Sequence, residues 1–427
     1  MIITVRKPPS GGQIKAIASK SHAQRVLICS ALSDKESYIV CSERSDDIDA
    51  TVGCLNSLGA KIIHDGVGFS VSPILTSDAE KNITVICGES GATLRFLLPV
   101  CGALGVPTEF VTKGSLRQRP TSPLLEQLSE QGCEITMSKG NISCKGKLQS
   151  GEFTLHGNVS SQFISGLLLA LPLIDGDSII NVEGKVESLP YINLTLDGLR
   201  DFGINVSMRG SKAGRGAVYI VPGPQRYISP GNITVEGDWS NAAAWLTAGA
   251  LGGEGFTCTG LNLGSSQGDM AIIRQVERFG ASVEYGGDSV TVNSAKTRSI
   301  QYDTSDTPDL VPMLALLASV SDGETFISNA GRLRLKESDR LHAITETLKI
   351  LGADISEIHD GLIIRGRESL HGGVVSSFGD HRIVMMAAIA SIVCKNPVTI
   401  EGAQAVSKSY PGFFDDFKAL GGLIEEA

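Results

Sequence analysis

No stretch of this 427-residue chain stays apolar for long. The longest such runs, Phe163 to Ile174, Leu310 to Val320 and Ile383 to Val393, cover 11 or 12 residues, against the roughly 20 that a membrane helix needs. They read as buried helices, with no membrane partner. A basic excess is missing too. The formal net charge is −9, which weighs against a nucleic-acid or anionic-membrane binder working through overall charge, though not against a local basic pocket. Nine cysteines form no C-x-x-C pair, so neither a zinc ribbon nor a thioredoxin-type motif is present. The start, Met1-Ile2-Ile3-Thr4-Val5-Arg6, lacks the charged-then-apolar order of a signal peptide. The thiols are therefore expected to be free and buried, in the cytoplasm. Aromatics make up only 5% against 49 glycines, a balance that suits an α/β protein with many tight turns. The length exceeds the size at which one core stops growing, so two domains are expected.

What the chain does have is a repeat. A helix-to-strand junction of the type Leu-Gly-Ala-x-Ile occurs at Gly59 and Gly352 and, more loosely, at Gly132, Gly203, Gly280 and Gly421, the six glycines lying at intervals of 73, 71, 77, 72 and 69 residues. Each glycine follows an amphipathic segment and reads as a left-handed helix C-cap. A second signal runs at the same period, a polar cluster opening an apolar helix. The openings are Lys20-Ser21, Ser90-Gly91, Ser160-Ser161-Gln162, Asp238-Trp239-Ser240-Asn241, Pro308-Asp309 and Asp380-His381-Arg382, spaced 70, 70, 78, 70 and 72 residues apart. Short β-branched runs such as Val290-Thr291-Val292 fill the gaps. Six units of two helices plus strands follow, one helix buried and one amphipathic. The widest interval holds Val221-Pro222-Gly223-Pro224-Gln225 and Ser229-Pro230-Gly231, which places a domain boundary near residue 230.

The openings carry an electrostatic oddity. A helix N-terminus bears about half a positive charge and attracts anions. A Ser or Asp there usually only caps the helix. Here the openings also bring cations: Lys20 with Arg25, then Arg95, then Arg382. A cation in that place makes sense when an anion sits between it and the helix end. Further cations stand in Arg117-Gln118-Arg119-Pro120, at Arg332 and Arg334, and at Lys408; Lys336, Glu337, Asp339 and Arg340 crowd one helix start. On that helix Leu341, Ile344, Leu348 and Leu351 form the core stripe, which puts Lys336 and Arg340 one turn apart beside it. Any one of these is most simply a surface ion pair. As a set in an acidic protein they suggest a site for more than one small anion, since two like charges about 4 Å apart repel by about 4 kcal/mol at an effective dielectric near 20. Arginine suits such groups through its planar fork.

With Lys20-Ser21, Arg25, Arg119-Pro120, Ser160-Ser161-Gln162, Lys336-Glu337-Ser338-Asp339-Arg340 and Gly379-Asp380-His381-Arg382 in this order, the whole chain resembles the 5-enolpyruvylshikimate-3-phosphate synthase family. The resemblance implies an inside-out α/β barrel of two domains, each of three βαβαββ repeats, around an interdomain cleft. It implies a domain of residues 15–230 on the shikimate-phosphate side, and one of residues 1–14 and 231–427 on the phosphoenolpyruvate and proton-transfer side. The implied reaction moves the enolpyruvyl group of phosphoenolpyruvate to the 5-hydroxyl of shikimate 3-phosphate. Contacts to shikimate 3-phosphate would come from Lys20, Ser21, Arg25, Ser160, Ser161, Gln162, Ser188, Tyr191, Asp309 and Lys336. Those to phosphoenolpyruvate would come from Lys20, Gly91, Arg119, Gln162, Arg340, Arg382 and Lys408. Asp309 and Glu337 match the proton-transfer carboxylates, with Lys20 able to share in either step, and His381 is expected to orient its cluster. Two small-molecule substrates, no metal, no organic cofactor and a monomer are implied.

This chain departs from the family pattern at three places. Glu89-Ser90-Gly91-Ala92 replaces the usual Asn-Ala-Gly-Thr and sets an extra carboxylate beside an anion site. Arg332 stands where an Asn is usual, and Ala18-Ser19-Lys20-Ser21 replaces Gly-Asp-Lys-Ser. The nearest alternative is the sister enzyme acting on UDP-N-acetylglucosamine, which typically carries a reactive cysteine before the Arg-Pro motif; Thr112 to Arg119 contains none. A non-catalytic polyanion-binding module needs basic residues spread along one face, whereas these gather at helix openings beside carboxylates.

Overall fold

The computed structural model describes residues 1–74, 82–210 and 216–427. The chain divides into two compact units, one of Lys20–Val235 and one of Met1–Ser19 with Glu236–Ala427. Each crossing lies five residues beyond the boundary expected from the sequence. Strand pairing explains the difference. Gly12–Lys15 runs parallel to Phe256–Thr259 with Lys15 opposite Thr259, so the first segment stays with the second unit past residue 14. Asn232–Thr234 runs parallel to Ser37–Val40, which keeps the chain in the first unit past residue 230. The stretch around Ser229 is no linker: Ser229 Oγ lies 2.7 Å from Ser37 Oγ and donates to the Glu36 carbonyl at 2.9 Å.

Each unit contains three four-stranded sheets of one design. In one of them Ile83–Gly88 and Thr108–Thr112 are parallel, and Asn141–Gly146 and Cys133–Ser138 continue the sheet antiparallel. Helices Gly91–Leu104 and Leu124–Glu130 link its strands, giving the order β-α-β-α-β-β. The other five sheets repeat the arrangement, but three take a strand from far along the chain. Gly12–Lys15 and Asn232–Thr234 supply the first strand of two sheets, each in the unit that its neighbouring helix does not join. Ile2–Lys7 fills the place between Val398–Glu401 and Leu423–Glu426 in a third.

The expected apolar helices open close to the residues read from the sequence: Lys20–Ala31, Gly91–Leu104, Ser161–Ala170, Trp239–Leu251, Val311–Ala318 and His381–Ala390. Every residue of Val311–Ala318 and His381–Ala390 is buried, which is why these sequences are apolar all round. Each fully buried large aliphatic side chain contributes about 1.5–3 kcal/mol. Trp239–Leu251, Val311–Ala318 and His381–Ala390 pack on one another in one unit, and Gly91–Leu104 packs on Ser161–Ala170 in the other. All six junction glycines have φ between +76° and +113°, the left-handed turn expected of them. Gly280 shows why no other residue serves: an added Cβ would also lie 2.7 Å from the Lys296 carbonyl. The cysteines are free thiols, all buried except the half-buried Cys394. No helix among the described residues is long and apolar enough to cross a membrane.

Candidate active site

In the unit formed by Met1–Ser19 and Glu236–Ala427, the polar residues gather on Arg340. Asp339 caps the helix Arg340–Ile350, so Arg340 is its first residue and Lys336 precedes it on extended backbone. The sequence reading that stacked Lys336 and Arg340 on one helix face is corrected by this start. The Arg340 side chain is 1% exposed. Its Nε donates to Asp380 Oδ2 at 2.9 Å, its Nη1 to Asp309 Oδ1 at 2.7 Å, and its Nη2 to Glu337 Oε2. Burial alone would lower the Arg340 pKa, but Asp380, Glu337 and Asp309 together raise it and hold the guanidinium charged. Asp380, though fully buried, is held below the ordinary carboxylate range by Arg340.

Asp309 collects two more cations. Lys336 Nζ stands 3.5 Å from its Oδ1 and Arg382 Nη2 3.4 Å from its Oδ2. Burial lowers the Lys336 ammonium pKa, with Asp309 opposing. Asp380 Oδ1 accepts from the Arg382 N–H at 2.9 Å, so this carboxylate both caps the helix and anchors Arg340. His381 is buried with Nδ1 3.8 Å from Asp380 Oδ1, beside the cap, and Lys408 reaches the same opening by donating to the Gly379 carbonyl at 3.0 Å. The cation at a helix start thus meets an anion the chain supplies itself. Arg334 pairs with Asp339 and Glu357, and Arg332 donates to the Ser305 carbonyl at 2.8 Å.

One member of this cluster escaped sequence reading. Asp269, on the short turn Gly268–Ala271, is 1% exposed and accepts from Ser240 Oγ. Burial first, then the charge of Asp309, push its carboxyl up to about 6, with Arg382 opposing. A turn of Gln267-Gly268-Asp269 carries no periodic signal; its one clue is its place after the fourth helix of the repeat.

In Lys20–Val235 the openings carry a second set. Lys20 Nζ pairs with Asp47 Oδ2 at 2.9 Å, and Ser21 is the next residue of the same helix. Ser90 and Ser160 cap their helices by accepting from Thr93 N and Gln162 N. Arg95 Nη1 donates to Gln162 Oε1 at 2.7 Å and Nη2 to the Pro120 carbonyl at 2.9 Å, which ties Gln162 to the loop of Arg119. The Arg119 guanidinium lies against Gly91, where an added Cβ would meet its Nη1 at 2.9 Å. Glu89 folds over Gly114, whose Cβ would overlap its carboxylate. Ser188 is buried at φ +55°, at the start of Leu189–Asp201, which carries Tyr191. Arg25 differs from the rest. Its Nε bonds Thr195 Oγ1 (2.7 Å), Nη1 the Ser21 carbonyl (2.7 Å), and Nη2 both the Tyr191 carbonyl (3.0 Å) and Ser165 Oγ (3.5 Å). Four of five N–H groups are engaged internally, with the guanidinium over the Phe96 ring.

The fold is that of the enolpyruvyl transferases. It superposes with TM-score 0.80 on EPSP synthase from Acinetobacter baumannii, at 22% identity over all of both chains. It also superposes with TM-score 0.80 on the enolpyruvyl transferase NikO from Streptomyces tendae, at 17% identity over 99% of this chain and 98% of that one. Residues 6–417 match the family model of EPSP synthase (3-phosphoshikimate 1-carboxyvinyltransferase). A 3-phosphoshikimate 1-carboxyvinyltransferase of Clostridium kluyveri is 44% identical over 97% of this chain and 96% of its own length. That of Clostridium acetobutylicum is 41% identical over the same shares. The chain belongs to the EPSP synthase family.

Proposed function

We propose that this chain transfers the carboxyvinyl group of phosphoenolpyruvate to the 5-hydroxyl of shikimate 3-phosphate and releases phosphate. Family membership and the full-length relatives support this acceptor over a UDP-sugar. The observation that carries the chemistry is one buried arginine joining Asp309 and Glu337 with Lys336 and Arg382 alongside. The hydroxyl oxygen attacks C2 of phosphoenolpyruvate as its proton passes to Asp309, and the methylene carbon takes a proton from Glu337. The tetrahedral adduct then returns a methyl proton to the Glu337 carboxylate and expels phosphate, which carries away the proton held by Asp309, restoring the enol double bond. Two carboxylates in different surroundings can divide these roles. Arg340, Arg382 and Lys408 stabilise phosphoenolpyruvate and the charge that develops on the departing phosphate, a part the family resemblance also gives to Lys20 and Arg119. Ser21, Ser160, Ser161, Gln162, Ser188 and Tyr191 hold shikimate 3-phosphate together with Lys336, and Arg25 keeps one N–H for it.

Phosphate release from phosphoenolpyruvate tests the reading, with shikimate 3-phosphate or UDP-N-acetylglucosamine as acceptor. Release with the first alone is expected; release only with the second would reassign the enzyme. Gly91→Ala gives a finer check. The new methyl displaces the end of Arg119 rather than backbone, so the melting temperature should hold. KM for phosphoenolpyruvate should rise roughly tenfold, the loss of one charged hydrogen bond of about 1.5 kcal/mol. An unchanged KM would remove Arg119 from that substrate.

A further inference from the structure

Asp269 has no role in the chemistry described, yet it is wired to it. Ser240 links the two. Its hydroxyl donates to Asp269 Oδ2, while its carbonyl accepts from Arg382 Nη1 at 3.4 Å. Arg382 Nη2 then stands 3.4 Å from Asp309 Oδ2. A buried carboxyl, a serine, an arginine and the proposed base thus form one chain across four elements: the turn Gly268–Ala271, the helix Trp239–Leu251, the helix His381–Ala390 and the turn Pro308–Leu310. The charged and titratable groups around Asp269 are Asp238 at the cap of Trp239–Leu251, Asp309, Arg382, and Tyr302 on Gln301–Asp303.

From this wiring we infer that Asp269 is a positioning residue that sets the proton affinity of Asp309 through Ser240 and Arg382. When Asp269 is ionised it draws on the charge of Arg382 and repels that of Asp309, and both effects make Asp309 the stronger base. When it is protonated, Arg382 serves Asp309 undivided and the base weakens. The Asp269 carboxyl, lifted to about 6, changes state close to neutrality, where this influence is useful. The inference rests on the role proposed above for Asp309.

The stability sign is fixed by the same shift. A carboxyl with a folded pKa above its unfolded value binds more protons in the fold, so its contribution is complete below the unfolded value and is lost as pH rises through about 6. Asp269→Asn removes that loss, and the variant should gain in melting temperature over the parent between pH 5 and pH 8.

The deciding measurement is the pH profile of kcat for Asp269→Asn, together with a carbon-13 carboxyl titration of aspartate-labelled protein in which the Asp309 resonance is assigned by its disappearance in Asp309→Asn. In the parent, kcat and the Asp309 resonance should both show an inflection near pH 6, where Asp269 changes state; in Asp269→Asn both inflections should vanish, with KM for both substrates little changed. Ser240→Ala, which deletes the donor that favours ionised Asp269, should move the inflection to higher pH, and it answers the question should Asp269→Asn fail to fold. Activity lowered evenly at every pH, with the Asp309 resonance titrating as in the parent, would overturn the inference and leave Asp269 a packing residue. Should Asp309→Asn itself turn over normally, the role of Asp309 fails, while the resonance still reports whether Asp269 tunes it.

Discussion

Asp309→Asn is expected to lower kcat by about 10²–10⁴-fold, the usual weight of a positioned acid–base group. The substitution keeps the shape of the side chain. It also keeps one oxygen that can accept from Arg340 Nη1, which reaches Asp309 at 2.7 Å. What it removes is the capacity to take a proton and a charge facing Arg340, Arg382 and Lys336. Asp309 touches three cations, so losing its charge frees positive potential for the anionic substrates. KM for phosphoenolpyruvate should therefore hold or fall, staying within about threefold of the parent, the signature of an interaction made in the transition state. Single-turnover phosphate release separates chemistry from product release. A variant with kcat within about fivefold of the parent would sink the assignment, since general-base catalysis contributes far more than that. Glu337→Gln offers the complementary reading: solvent deuterium incorporation into the methyl group should collapse with it, because the methylene proton has lost its source.

Much of this fold could be read from residue spacing because six copies of one supersecondary unit reinforce the same signal. Any one opening, such as Ser160-Ser161-Gln162, is a helix cap and nothing more; six at one period, matched by six left-handed glycines, leave little room for chance. The strand exchanges were not legible in that way. Gly12–Lys15 pairs with Phe256–Thr259, and a four-residue strand of alternating character says nothing about a partner more than two hundred residues away. The domain limits moved for the same reason.

Site residues divide along a similar line. Asp309, Glu337, Lys336, Arg340 and Arg382 could be picked out because charged groups at the mouth of an apolar helix are conspicuous. Arg25 is just as conspicuous, yet its neighbours Thr195, Ser165 and the Tyr191 carbonyl lie more than a hundred residues away and take up most of its hydrogen bonds. Asp269 is the converse, a carboxyl on an unremarkable turn made significant by burial against Ser240. Burial and long-range pairing decide both cases, and neither is a local property of sequence.

Arg340→Met should cost the protein about 3–5 kcal/mol at pH 8, the range for stripping the cation from a buried ion cluster. The parent arginine sits at 1% exposure between Asp380, Asp309 and Glu337. Methionine has a similar length and fills the space, so the loss measures charge rather than volume. Without the guanidinium, carboxylates about 4 Å apart repel by about 4 kcal/mol per pair at an effective dielectric near 20. The pH dependence follows from Asp380. In the parent its pKa is depressed by Arg340, so the stability it contributes is present above its unfolded value and is lost only as pH falls through the lower folded value. In Arg340→Met the depression is gone, and burial instead favours the protonated form. The variant therefore loses stability as pH rises through the carboxylate range, and its deficit should be small near pH 4.5 and largest at pH 8. Urea unfolding at the two pH values reads this out. A deficit below about 1 kcal/mol at pH 8, no more than an exposed ion pair contributes, or one that does not grow with pH, would show that the three carboxylates do not depend on Arg340 for their charge.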